Sequence, residues 1–230
     1  LYSSGSIGPR TAKILPESMI MANCNEFITT HNITENDKIL TVCSMNHTAG
    51  LTCQTLAGLL KGGHVIIEQF NPFKMLKLLK EYNITITHVV PLITKSLMAQ
   101  GTRVHLPDLR FVCMGSDCIT RDQVEYWLQP NREVMIVYGQ TEAGPPILYH
   151  VFKMNDDLTI FNNGFPAGTK SSCDVKIRNN ELYVSGPNVF INGWYPTGDN
   201  FILKDNWYYY TGRVAAHGKI IPKGKGHAGN

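Results

Sequence analysis

Residues 133–146 read Glu133-Val134-Met135-Ile136-Val137-Tyr138-Gly139-Gln140-Thr141-Glu142-Ala143-Gly144-Pro145-Pro146. The stretch through Val137 is apolar and partly β-branched, the mark of a buried strand. Gly144-Pro145-Pro146 continues neither helix nor strand, so the strand runs out into a tight polar segment, Tyr138–Glu142. An aromatic ring, a hydroxyl and a carboxylate at a strand end suit nucleotide chemistry. The ring can cover a base, Thr141 can hydrogen-bond a phosphate oxygen, and Glu142 can hold a magnesium ion that bridges phosphates. Taken alone, the same five residues also make an ordinary loop with a helix-capping Thr-Glu pair.

Upstream of this strand the pattern alternates. Pro16 suits the first position of a helix running to about residue 32, with Glu17 in its first turn. Strands are predicted over 39–43, 64–67, 84–90, 109–114 and 133–137. Helices are predicted over 52–60, 72–82, 92–100 and 121–129, with Gly62-Gly63 stopping the first of these. The strands are short, β-branched and nearly continuously apolar, as expected when helices cover both faces of a parallel sheet. In such sheets ligands bind outside the carboxyl ends of the strands. There the sequence places Ser44-Met45-Asn46-His47, Pro91, Gly115-Ser116-Asp117 and Tyr138–Glu142, so the spacing predicts a cleft along one edge.

Beyond His150 the period changes to short β-type runs over 158–161, 174–177, 182–185, 201–203 and 207–210. Asn179-Asn180 and Asp205-Asn206 suit hairpin turns. The expected fold is therefore an α/β layered domain over 1–150 and a small antiparallel β module, a partial barrel, over 151–212. The chain starts at Leu1 inside what looks like a motif and ends in a glycine-rich tail, which suggests a fragment trimmed at both ends.

Bulk composition narrows the function. The net charge of +3 is small and the lysines are scattered, so neither nucleic-acid nor anionic-membrane binding has support. No apolar run approaches the roughly 20 residues of a membrane span. The six cysteines, Cys24, Cys43, Cys53, Cys113, Cys118 and Cys173, form no C-x-x-C pair. They read as reduced core residues in a cytoplasmic protein, neither a disulfide frame nor a zinc site. Leu1–Arg10, LYSSGSIGPR, is a hydroxyl-rich glycine loop. Its backbone N–H groups and Ser3, Ser4 and Ser6 can surround phosphate oxygens, and Arg10 can neutralise charge, although a Ser/Gly run is equally the composition of a linker.

Taken together, these segments resemble the adenylate-forming superfamily of acyl- and aryl-CoA ligases, luciferase and peptide-synthetase adenylation domains. Leu1–Arg10 is similar to its phosphate loop, Ser44–Gly50 (SMNHTAG) to its P-x-F-H-x-x-G segment, and Tyr138–Glu142 to its Y-G-x-T-E. Glu181–Pro187 with Gly193-Trp194 is similar to G-E-L-x-V-x-G-P…G-Y. Thr197-Gly198-Asp199 matches T-G-D, and Gly212-Arg213 begins its hinge motif G-R-x-D, which implies that residues 213–230 are a hinge remnant. The resemblance implies ATP-dependent activation of a small carboxylic acid as an acyl-adenylate, with release of pyrophosphate. Transfer to a thiol, commonly coenzyme A, would follow, with Mg2+ as cofactor.

The resemblance also implies residue roles. Tyr138 would stack on adenine, Thr141 would bond the α-phosphate and Glu142 would hold Mg2+. Asp199 would accept from the ribose hydroxyls, with Arg213 beside it. Gly115, Ser116, Asp117 and Gly139 would line the nucleotide. Ser3, Ser4, Gly5, Ser6, Gly8 and Arg10 would cradle the outer phosphates, and His47 would border the acyl pocket. Ser44–His47 offers no carboxylate to pair with an α-ammonium, which favours an acyl or aryl acid over an amino acid. Ile7, Arg10 and Ala215 depart from the family pattern, and the amino-terminal and mobile carboxyl-terminal parts of the family are missing from this sequence. A catalytically impaired nucleotide-binding or scaffolding descendant and an amino-acid adenylation domain are the alternative readings.

Overall fold

The computed structural model describes residues 1, 12–101, 105–214 and, as backbone, 220–221. In chain order its elements are α1 (Glu17–His31), β1 (Lys38–Thr41), α2 (Thr48–Gly50), a π-helical stretch Leu51–Leu56, α3 (Ala57–Leu60), β2 (His64–Ile67), α4 (Pro72–Glu81), β3 (Ile86–Val89), α5 (Pro91–Met98), β4 (Phe111–Met114), α6 (Arg121–Trp127) and β5 (Glu133–Tyr138). A short 3-10 turn, Thr141–Ala143, leads to β6 (Leu148–Phe152). There follow a second 3-10 turn, Thr159–Asn163, then β7 (Phe165–Gly168), β8 (Lys170–Ser171), β9 (Asp174–Arg178) and β10 (Glu181–Ser185). The chain closes with β11 (Tyr195–Lys204), β12 (Trp207–Val214) and β13 (Ile220–Ile221).

The first sheet runs β2-β1-β3-β4-β5-β6-β8. β1 to β5 pair in parallel, and β6 and β8 add antiparallel strands at the far side. Its side chains alternate between two cores, as the two-residue strand period requires. Val112 and Met114 of β4 and Val134 and Ile136 of β5 join the cluster that includes Met75, Leu79, Ile93, Leu97 and Trp127 from α4, α5 and α6. Phe111, Cys113, Met135 and Val137 point the other way, into the cluster with Cys24 and Phe27 of α1 and Cys53 and Ala57. Helices therefore cover both faces. The second sheet is antiparallel, ordered β13-β12-β11-β10-β9, with β7 paired to β12. Asn179, Asn180, Asp205 and Asn206 all have positive φ, as the expected two-residue hairpin turns demand. No helix among the described residues is long and apolar enough to cross a membrane.

Local chemistry explains where elements depart from expectation. The helix expected over 52–60 begins earlier, because His47 caps it by accepting from Ala49 N at 3.2 Å. It also widens into a π turn, where Gln54 Nε2 bonds the Ala49 carbonyl (3.0 Å) and Thr52 Oγ1 the Thr48 carbonyl (2.9 Å). α6 stops at Trp127 because the buried Arg132 guanidinium takes the carbonyls of Trp127, Leu109 and Leu106. The run 158–161, expected as a strand, instead leads into the 3-10 turn Thr159–Asn163. Asp157 accepts from both the Thr159 amide (2.8 Å) and hydroxyl (2.7 Å), and that local bonding starts a turn.

Candidate active site

Both sheets contribute to one buried polar cluster. Tyr138 closes β5 and Gln140 lies two residues on, so the extended backbone turns both side chains the same way. Opposite them, β10 and β11 fall out of register. Tyr183 faces Pro196 and Glu181 faces Asn200, leaving Thr197-Gly198-Asp199 bulged against Leu182. Gly198 sits at φ +68, where nothing crowds a side chain but the backbone itself favours glycine. The bulge is pinned by Thr197 Oγ1 donating to Leu182 O (2.8 Å) and by Gly198 N donating to Glu181 Oε1 (2.9 Å). It thereby aims Asp199 at the β5 terminus.

Asp199 is only 4% exposed. Its Oδ2 accepts from Tyr138 Oη at 2.8 Å and from Gln140 Nε2 at 2.6 Å, and the same Gln140 amide also donates to Thr197 O at 2.7 Å. Oδ1 is buried and takes no hydrogen bond from the described residues. Arg213, directly across the β11–β12 ladder, stands 3.5 Å from it through Nε, a contact of charge. Burial, and then the Asp199 charge, push the Tyr138 phenol well above its ordinary range, so it remains a donor. The Tyr138 ring packs edge-on against Phe201, with centroids 4.8 Å apart. Tyr195, raised to about 12 by burial and then by Glu142, closes the cluster on the Glu142 side.

Beyond Gln140 the segment tightens. Gly139 is required by contact, since a Cβ there would meet Pro145 Cβ at 2.5 Å. Thr141 is buried in the first position of the 3-10 turn. Glu142 is fixed through its backbone, whose carbonyl accepts from Phe190 N at 3.0 Å, while its carboxylate holds Lys13 Nζ at 3.1 Å. Lys13 N in turn bonds Leu1 O at 2.7 Å. Lys13, which follows the expected phosphate loop, is thus brought against Glu142, and Leu1 is tied to the Lys13 backbone. Ser3, Ser4, Gly5, Ser6, Gly8 and Arg10 themselves lie outside the described residues.

Gly115, Ser116 and Asp117 leave β4 beside the end of β5; a Cβ on Gly115 would meet Val137 Cγ1 at 2.6 Å. Ser116 has φ 74, and Asp117 Oδ1 accepts from Cys118 N at 2.8 Å. Asp117 and Cys118 are near enough to Tyr210, together with Asp199 and Arg213, for their charges to act on its phenol, which burial chiefly raises. The β4 exit therefore faces the second sheet. His47 leaves β1, with β3 and β4 between that strand and β5, so it stands at the same sheet edge but away from the Tyr138–Asp199 cluster. Gln140, Lys13, Glu181 and Tyr195 carried no role in the sequence reading. The two-residue offset of Gln140 from Tyr138 was the one available signal.

The AMP-binding enzyme family profile matches residues 1–191. Feruloyl-CoA synthase of an Amycolatopsis species is 26% identical over 226 residues, spanning 94% of this chain and 46% of that protein. 2-Succinylbenzoate–CoA ligase of Staphylococcus aureus is 28% identical over 231 residues, spanning 94% of this chain and 44% of that protein. This chain thus spans under half the length of these two curated relatives. O-succinylbenzoate coenzyme A synthetase of Bacillus subtilis, solved with ATP and magnesium ion, superposes with a TM-score of 0.77 at 21% identity, over 96% of this chain and 52% of that one. The inhibitor-bound N-terminal domain of FACL13 from Mycobacterium tuberculosis superposes with a TM-score of 0.79 at 20% identity, over 93% and 59%. The two superpositions show a shared fold. With the profile spanning most of its length, the chain belongs to the AMP-binding enzyme family.

Proposed function

We propose that this chain supplies the nucleotide- and acid-binding part of an acid–thiol ligase. A carboxylate attacks the α-phosphorus of ATP and pyrophosphate leaves; the acyl group of the adenylate then passes to the thiol of coenzyme A. The observation that carries this reading is the junction of Tyr138 and Gln140 with Asp199, residues about sixty positions apart, beside Glu142. The CoA ligases among its relatives support the reaction class.

The residues fit the groups such a reaction needs. Asp199 Oδ1 is a buried acceptor with no hydrogen bond among the described residues, suited to a ribose hydroxyl, while Tyr138 and Gln140 hold the other oxygen still. Glu142 already holds a cation, the Lys13 ammonium, and a carboxylate oxygen is the donor Mg2+ takes. When bound, Mg2+ neutralises charge on the phosphates. Thr141 donates to the α-phosphate, where fixed donors have their largest effect on rate, about 10²–10³ for one donor. Tyr138 flanks adenine, with Gly139 and Gly115–Asp117 lining the nucleotide, and Arg213 offsets the Asp199 charge. Ser3, Ser4, Gly5, Ser6, Gly8 and Arg10 cradle the outer phosphates. His47 borders the acid pocket, and the lack of a carboxylate in Ser44–His47 favours an acyl or aryl acid.

The test is exchange of labelled pyrophosphate into ATP by the full-length protein, across fatty, aromatic and amino acids. Exchange that requires Mg-ATP and a fatty or aromatic acid, and that falls in Asp199→Ala and Glu142→Gln, is expected. Selectivity for amino acids would move the substrate class. ATP binding that is lost in Asp199→Ala without exchange in any condition would identify a nucleotide-binding module. No exchange, with ATP affinity untouched by both substitutions, would end the proposal.

A further inference from the structure

A second polar cluster lies in the core on the α1 side of the first sheet, apart from the nucleotide cluster. His31 at the end of α1, His88 in β3 and Cys113 in β4 are all buried, and one ring nitrogen of each histidine and Cys113 Sγ lie within 4.8 Å of one another. His31 Nε2 and His88 Nε2 are 2.8 Å apart. The neighbours suit one pair of tautomers. Thr30 Oγ1 lies 2.8 Å from the Glu26 carbonyl, which can take its proton. With the proton there, the same oxygen, 2.9 Å from His31 Nδ1, accepts from Nδ1–H. In that pair of tautomers His31 Nε2 is a bare lone pair, and His88 Nε2 carries the single proton between the rings. A histidine whose outer nitrogen donates to an oxygen while its inner nitrogen is bare is the arrangement metal-ligating imidazoles adopt.

We propose that His31, His88 and Cys113 form a buried binding site for a monovalent soft cation, Cu(I). Two imidazoles and a thiolate are soft to intermediate donors, a set that suits both Cu(I) and Zn2+. Charge decides between one and two positive charges. The cluster is walled by Phe27, Phe111 and Ile86, and the cationic Arg110 lies near His31. One thiolate neutralises a monovalent ion, whereas a divalent ion would leave a net charge in an apolar core, which is costly. Binding replaces the thiol proton of Cys113 by a Cys113–copper bond and releases one proton. His88 moves its proton from Nε2 to Nδ1 and His31 changes nothing. No electron is transferred. The two nitrogens part from 2.8 Å to roughly 3.3–3.5 Å, as bonds of about 2 Å at tetrahedral to trigonal angles require.

The test is anaerobic competition for Cu(I) between the full chain and a chromophoric Cu(I) chelator, with a parallel Zn2+ arm. Because the ligands are buried, copper is supplied both to the folded chain and to cells synthesising it. The expected result is one Cu(I) retained per chain by the wild type and by Cys118→Ser, with one proton released and an X-ray absorption signature of two nitrogens and one sulfur. Cys113→Ser should weaken retention at least tenfold. Should that variant fail to fold, His88→Gln should give the same loss with the circular dichroism of the wild type. Equal retention by the folded variants, no retention by either loading route, sulfur-only coordination, or stoichiometric Zn2+ in place of Cu(I) would each overturn the proposal.

Discussion

Tyr138 Oη donates a 2.8 Å hydrogen bond to Asp199 Oδ2, and this bond joins the two sheets. Tyr138 ends a strand of the parallel sheet and Asp199 lies in the antiparallel one, so the proposed nucleotide cluster exists only while the sheets stay docked. A hydrogen bond to a charged group contributes about 1.5–3 kcal/mol. Tyr138→Phe is therefore expected to lower the unfolding free energy by about 2 kcal/mol, read from urea transitions. Gln140→Leu acts on the same oxygen, so the double substitution should be non-additive. Strict additivity with losses under about 0.5 kcal/mol would show that the pair does not hold the sheets together.

Lys13 occupies the carboxylate proposed to serve Mg2+. The pair is partly exposed, and such pairs contribute about 0.2–1 kcal/mol. Lys13→Ala should raise Mg2+ affinity of the ATP-bound chain by about two- to fivefold, and Glu142→Gln should abolish the gain. Calorimetric titration of Mg2+ decides it; a weaker affinity in Lys13→Ala would mean that Lys13 contacts the phosphates instead.

At the opposite edge of the sheet, Asp37 accepts from Arg110 Nε (3.0 Å) and Nη2 (2.8 Å), from Thr85 Oγ1 (2.7 Å) and from Thr34 N (2.9 Å). Burial would raise its pKa, but the bonds from Arg110, Thr85 and Thr34 outweigh it and hold the group below its ordinary value of 3.8. A depressed acid contributes stability that is present above the unfolded pKa and is lost as pH falls through the folded one. The Asp37 contribution should thus persist at neutral pH and fade below about pH 4. Asp37→Asn should cost about 1.5–3 kcal/mol at pH 7, converge with the wild type in acid, and leave ATP affinity unchanged. A stability difference that grows towards low pH would refute the sign.

Gly168, with φ +150, would set a Cβ 2.4 Å from the Tyr149 backbone nitrogen, where β7 passes β6. Gly168→Ala should cost about 3 kcal/mol, combining overpacking with backbone strain. Gly193, at φ +94 with open space around it, should cost about 1–2 kcal/mol for the same change. Thermal melting compares the two, and equal shifts would show that the close approach is relieved at no cost.

Much of this architecture was legible from period alone. The four-residue cores of β1, β3 and β4 and the helices between them announce themselves because continuous β-branched runs and Gly or Pro stops have few other uses. Two kinds of feature stayed hidden. One is decided by local side-chain bonding, as where Asp157 turns 159–163 into a 3-10 element. The other is decided by distant strands. β6 and β7 have no strong pattern of their own and exist because β5 and β12 offer unpaired edges. In the site, residue types at motif positions pointed to Tyr138, Glu142 and Asp199. The Gln140 amide, which bonds both Thr197 and Asp199, depends on a register slip that no pattern in the sequence encodes.

That slip at Thr197-Gly198-Asp199 sets a parity. Side chains of an extended chain alternate from one side to the other, so deleting or inserting a single residue there would carry the carboxylate to the outer side of the strand. Composition, apolar content and strand length would hardly change, yet Tyr138 would face a different residue altogether. Drift in this lineage can therefore exchange amino acids around the bulge far more freely than it can alter their number.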